Sequence, residues 1–204
     1  MNLQIQDLLE RIPALTAVAD ELTAAYELLK DCCTAGKSIY TCGNGGSASD
    51  SEHIVGELMK GFYKQRRLPK DERAKYGELG EFLQGTLTAI ALTQHSALST
   101  AFLNDVEPSM VFAQQVMGYG RPGDVLLAIS TSGSSDNVVK AAMVARARGL
   151  QVIGLTGRDG GQLRELGDVC VTVPLQITAD IQEHHLPIYH TWCAMLEEHF
   201  FPEG

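Results

Sequence analysis

No stretch of the chain stays apolar for the roughly 20 residues that a membrane-spanning helix needs, so no membrane contact of that kind is expected. Basic residues are also scarce. Sixteen Lys and Arg against 25 Asp and Glu leave a net charge of −9, which argues against a broad basic surface for nucleic acid or anionic lipid. A small anion would have to be held by local neutral donors. The five cysteines, Cys32, Cys33, Cys42, Cys170 and Cys193, are odd in number and lack CxxC spacing, which points to reduced thiols in a cytoplasm. The opening residues MNLQIQDLLERIP carry acids where a secretory signal would need a basic start and an unbroken apolar run. Internal repeats and low-complexity segments do not stand out. What is present, 204 residues of which 45% are hydrophobic, suffices for one well-cored domain and is short for two.

Apolar positions Ile5, Leu8, Leu9, Ile12, Leu15, Val18, Leu22, Leu28 and Leu29 recur at helical spacing and predict an N-terminal helical arm over residues 1–36, broken near Pro13. Such an arm packs on its own domain or is shared in an oligomer interface. Short apolar runs at 38–42, 87–92, 125–130, 151–156 and 169–173 alternate with helical stretches. That alternation predicts a three-layer α/β sandwich whose five-stranded parallel sheet is covered on both faces. Residues 64–86 are charge-rich and interrupted by Pro69, Gly77, Gly80 and Gly85, and are expected to form a surface insertion, either a plain solvated face or a substrate-specificity loop.

Two loops carry the chemistry. The first, Gly43-Asn44-Gly45-Gly46-Ser47, follows the first strand and opens a helix, so that backbone amides meet an anion at the positive helix end. Along that helix His53 and Glu57 lie four residues apart on one face. The second, Ser130-Thr131-Ser132-Gly133-Ser134-Ser135, sets five hydroxyls beside another helix start. Ligands of open α/β sheets collect at the carboxyl ends of strands, so both loops should share one edge and surround a phosphomonoester. A loose dinucleotide fingerprint, Gly43-x-Gly45-x-x-Ala48, is discounted because Thr93-Gln94-His95 offers no acid for a ribose; no nucleotide cofactor is expected. The last helix concentrates Gln182, Glu183, His184, His185 and His190. Gln182 and His190 are about 12 Å apart along a regular helix and converge only if that helix is irregular near Pro187 or neighbouring subunits contribute.

The stretches CGNGGSASDSEHIVGEL, Asn104-Asp105, FAQQV, GDVLLAISTSGSSDNV, GLTGRDGG and IQEHHLPIYH span nearly the whole chain. Together they resemble the SIS (sugar isomerase) domain family, most closely its phosphoheptose isomerases. That resemblance implies interconversion of sedoheptulose 7-phosphate and D-glycero-D-manno-heptose 7-phosphate by a homotetramer with active sites at subunit boundaries. It implies Ser47, Ser130, Thr131, Ser132 and Ser135 as the phosphate cradle, with Asn44, Gly45 and Gln182 near the substrate. Glu57 is implied as general base and His190 as acid/base partner. It further implies a zinc ion on His53, Glu57, Gln182 and His190. The chain departs from the family at Gln94, where Asp is usual, and in the length of the 64–86 segment. Two other readings stand beside the isomerase: a non-catalytic sugar-phosphate binder or scaffold, similar to the DnaA initiator-associating protein, and a zinc hydrolase built on His53 and Glu57.

Overall fold

A computed structural model describes residues 2–202. The helical arm is α1 (Leu3–Arg11), a 3₁₀ segment at Pro13–Val18 and α2 (Ala19–Thr34). Pro13 sits at the first position of the 3₁₀ turn, where its missing N–H costs nothing. Ile5, Leu8, Leu15 and Leu22 are fully buried, so the arm packs on its own domain.

The sheet comprises β1 (Ile39–Cys42), β2 (Ala89–Ala91), β3 (Val125–Ser130), β4 (Gln151–Gly157) and β5 (Val169–Val173), all parallel in the order β2-β1-β3-β4-β5. Every residue of β1 and β3 is buried, as expected of strands covered on two faces. Alternate side chains feed two cores. Ile39, Val125, Leu127, Ile153 and Val171 point to the layer holding α1, α2, α3 (Gly46–Met59) and α9 (Thr178–Phe200). Tyr40, Cys42, Leu126, Ala128 and Val152 point to the opposite layer. That layer is built from α5 (Ser96–Asp105), α6 (Val111–Tyr119), α7 (Asp136–Ala147) and the short α8 (Leu163–Leu166).

The strand order reverses between β1 and β3, and a crevice forms where loops leave such neighbouring strands in opposite directions. In the α1/α2 layer, α3 and α9 lie side by side and run in the same direction. Gln182 abuts Gly46, Tyr189 meets Asp50, and Glu197 meets the segment just past α3. Trp192, 2% exposed, fixes α9 by donating from Nε1 to the Leu22 carbonyl at 3.0 Å. Helix α9 continues through Pro187, which leaves the carbonyl of the exposed Glu183 without its helical donor.

The 64–86 segment contains a five-residue helix, α4 (Lys70–Ala74), and a 3₁₀ turn at Gly77–Glu81. Its tip is exposed, with Leu79 and Phe82 in solvent, but its base is not a solvated face. Arg66 is 1% exposed, with φ +44°. It donates to Glu197 Oε1 (2.7 Å) and to the carbonyls of Leu58 (2.7 Å) and Glu57 (2.9 Å). Glu197 also accepts the amides of Phe62, Tyr63 and Lys64. Burial opposes its charge, but these amides and Arg66 outweigh that and hold the carboxyl below its ordinary range.

Candidate active site

The loops after β1 and β3 lie on one sheet edge because the strands are adjacent and parallel, Cys42 opposite Ala128. Asn44 and Asn137 exchange amide hydrogen bonds of 2.8 and 2.9 Å across the gap. Gly45, at φ +58°, supplies the left-handed turn that starts α3. Ser47 is buried in the first turn behind it. In the second loop Ser130 Oγ stands 2.9 Å from Ser135 Oγ and 3.4 Å from Ser132 Oγ, while the Thr131 carbonyl accepts the Gly157 amide at 3.1 Å. Three hydroxyls bonded mainly to each other, beside the N-terminus of α7, form a neutral cradle for an anion.

The titratable residues gather at the other end of α3. His53 Nε2 is 3.2 Å from Glu57 Oε1 and 3.4 Å from His190 Nε2, so residues from α3 and α9 meet around one imidazole. Glu57 Oε2 accepts from Lys60 Nζ at 3.2 Å. Burial, and then the charge of His53, push His190 below the usual imidazole range and favour its neutral form. His190 faces a cavity of about 440 Å³ that Leu3, Asp7, Arg11, Tyr63 and Leu186 also line, and no cradle residue borders it.

The single chain thus joins His53, Glu57 and His190, and separately Asn44, Gly45, Ser47, Ser130, Thr131, Ser132 and Ser135. It does not join the two sets. Ten residues separate Ser47 from Glu57, about 15 Å along α3. Gln182 belongs with the cradle: a Cβ on Gly46 would lie 2.7 Å from its Nε2, and the regular course of α9 leaves it about two turns from His190.

The donor set suits zinc in kind, two imidazoles, a carboxylate and an amide oxygen. Donors around a tetrahedral zinc lie about 3.3 Å apart, given bonds of about 2.0–2.1 Å. The two contacts of His53 match that edge length. Among the described residues, however, no three or more His, Cys, Asp or Glu side chains form a closed metal-holding group, and Gln182 stands apart.

Sequence reasoning missed Tyr189 and the Arg66–Glu197 pair. Tyr189 adjoins His190 and could only be read as core. Asp50, His53 and Glu57 fall at i, i+3 and i+7 of α3, a one-face pattern that was available from spacing alone.

A parallel sheet with a hydroxyl-lined crevice and an imidazole–carboxylate group on its flanking helices defines a sugar-phosphate-handling α/β domain. A family model described as SIS domain matches residues 3–75 and 70–157, and the chain belongs to that family. Phosphoheptose isomerase of Geotalea daltonii is 41% identical over 186 residues, covering 91% of this chain and 88% of the relative. That of Akkermansia muciniphila is 36% identical, covering 97% and 95%. The solved phosphoheptose isomerase of Neisseria gonorrhoeae superimposes with a TM-score of 0.73 at 36% identity, covering 94% of this chain and 91% of that one.

Proposed function

We propose that the protein is a phosphosugar aldose–ketose isomerase that interconverts sedoheptulose 7-phosphate and D-glycero-D-manno-heptose 7-phosphate. The observation that carries this reading is the meeting of Glu57 and His190 around His53 in a chain whose relatives are phosphoheptose isomerases. The carboxylate of Glu57 takes the proton from the carbon beside the carbonyl and returns it to the neighbouring carbon through an enediol. His190, held neutral, moves the proton between the two oxygens. The serine loops and the α3 and α7 amides tether the phosphate.

We extend the proposal to the assembly. With the cradle and the acid/base group about 15 Å apart on α3, one sugar is gripped by the cradle of one subunit and the Glu57/His190 group of another, in a homotetramer. Zinc is proposed on His53, Glu57 and His190, with Gln182 completing the set from a neighbouring subunit; a Glu57 carboxylate that held the ion would lose basicity, so metal ligand and general base are alternative roles for it. A bound ion would supply positive charge to offset the negative charge that develops during the proton transfer.

Turnover of sedoheptulose 7-phosphate tests the activity, and metal analysis of the purified protein tests the zinc. Glu57→Gln and His190→Ala should each lower kcat by about 10²–10⁴-fold. Full turnover by either variant would remove that residue from the mechanism, and absence of turnover by the wild type would remove the reading.

A further inference from the structure

Tyr189 lies at a junction that the isomerase reading leaves unused. Its hydroxyl is 3.1 Å from Asp50 Oδ1 and 3.0 Å from His53 Nδ1, with its ring edge-on to both imidazoles. A phenol has one proton to give, so it can donate to only one of these neighbours. If it donated to His53, Asp50 would be left facing a phenolic lone pair. Tyr189 is the only hydrogen-bond donor to the Asp50 carboxylate among the described residues, and Asp50 Oδ2 is already buried without a partner. A largely enclosed carboxylate stripped of its last donor is the costlier arrangement. The proton therefore goes to Asp50, and the phenolic oxygen accepts from Nδ1–H of His53.

We infer that Asp50 and Tyr189 form a positioning relay that locks His53 in the Nδ1–H tautomer, so that its Nε2 faces Glu57 and His190 as a bare lone pair. In the opposite tautomer Nε2–H would donate to Glu57 Oε1 across the 3.2 Å contact and quench the carboxylate as a base. The locked form leaves two electron-rich atoms facing each other, and a proton or a cation brought between them is welcomed. His190 Nε2–H, 3.4 Å away, supplies part of that compensation in the free protein. The same tautomer is the one that can offer Nε2 to a metal, with Nδ1–H held by an outer partner.

The relay rests on the isomerase reading only for its kinetic arm. Selective ¹⁵N-histidine labelling of chelator-treated full-length protein at about pH 8, with His53→Gln to assign the signal, reads the tautomer directly. Wild type should carry the proton on Nδ1. Tyr189→Phe, which keeps the ring, should move it toward Nε2, and Asp50→Asn should do so in part. With sedoheptulose 7-phosphate, Tyr189→Phe should lower kcat by about 10–100-fold while KM changes less than about twofold, since neither residue touches the phosphate cradle. A wild-type proton on Nε2, or a Tyr189→Phe protein whose tautomer is unchanged, overturns the relay. A switched tautomer with unchanged kcat overturns its effect on Glu57. If no sugar phosphate is turned over, the spectrum still decides the relay while the isomerase reading fails by itself.

Discussion

Among single residues, His185 makes a clear prediction about pH. It is wholly buried one turn from Ile181, its Nε2 donates to the Thr156 carbonyl at 3.1 Å, and its Nδ1 has no partner. Burial pushes it down to about 4 from an ordinary 6.5. Above the ordinary value both folded and unfolded chains carry a neutral imidazole, and stability is unaffected. Between about 6.5 and 4 only the unfolded chain binds the proton, so stability falls as pH falls, by about 3 kcal/mol once pH is below 4. Denaturant midpoints measured across that window should decline in the wild type and flatten in His185→Gln; parallel slopes would assign the loss elsewhere. His185 also illustrates what could not be read beforehand. The sequence marks five polar or titratable residues on the last helix, but burial alone separates a core imidazole (His185) from an accessible one (His190), and burial depends on which face of α9 meets β4. Glu57 and His53 were readable because four-residue spacing fixes a shared face before any packing is known.

At the level of elements, four strands were legible to within a residue at each end, whereas the second, expected over 87–92, is only Ala89–Ala91. Val125–Ser130 and Val169–Val173 are short, largely apolar runs closed by turns, and the central position of β3 buries every one of its residues. The 64–86 segment was legible only as an interruption, because its base is organised by one long-range pair, Arg66 with Glu197, 131 positions apart. That pair does more than anchor a loop. The guanidinium satisfies terminal carbonyls of α3, including that of Glu57 itself, so the lobe and Glu57 share a backbone support. Arg66→Met leaves the Glu197 carboxylate buried without its counter-charge and should cost about 3–5 kcal/mol. At about 2–4 °C per kcal/mol for a chain of this size, calorimetry should register a fall in Tm of about 10 °C. A shift under about 2 °C would mean that the three amides suffice. Beyond Pro69 the lobe is more independent. Its neck is closed by the Arg67–Gln84 bridge and by Gly85 N–H donating to the Arg66 carbonyl at 2.8 Å, so replacing 70–83 with a short Gly-Ser turn should preserve the fold. Circular dichroism and the melting profile check this, and loss of cooperative unfolding would contradict it.

At the scale of the whole molecule, the acidic surface and the neutral cradle belong together. On the proposed function, a protein with net charge −9 would hold a phosphate through hydroxyls and helix amides without building a general anion attractor. The shared-site proposal has its own test in mixtures. Ser132→Ala damages the cradle and Glu57→Gln damages the acid/base group. Each should be nearly inactive alone, yet co-expressed subunits should regain a measurable fraction of wild-type turnover, because some sites would draw both intact halves from different chains. No recovery in verified hetero-oligomers would place a complete site within each chain. The parallel course of α3 and α9, which sets the serine-rich loops and the His53, Glu57 and His190 group at opposite ends of one helix pair, then acquires a kinetic meaning. A lone copy would own two half-tools that never face each other. Its total turnover should therefore fade on dilution as the square or a higher power of concentration, so that turnover per chain also falls, and crowding or a cross-link between copies should bring it back.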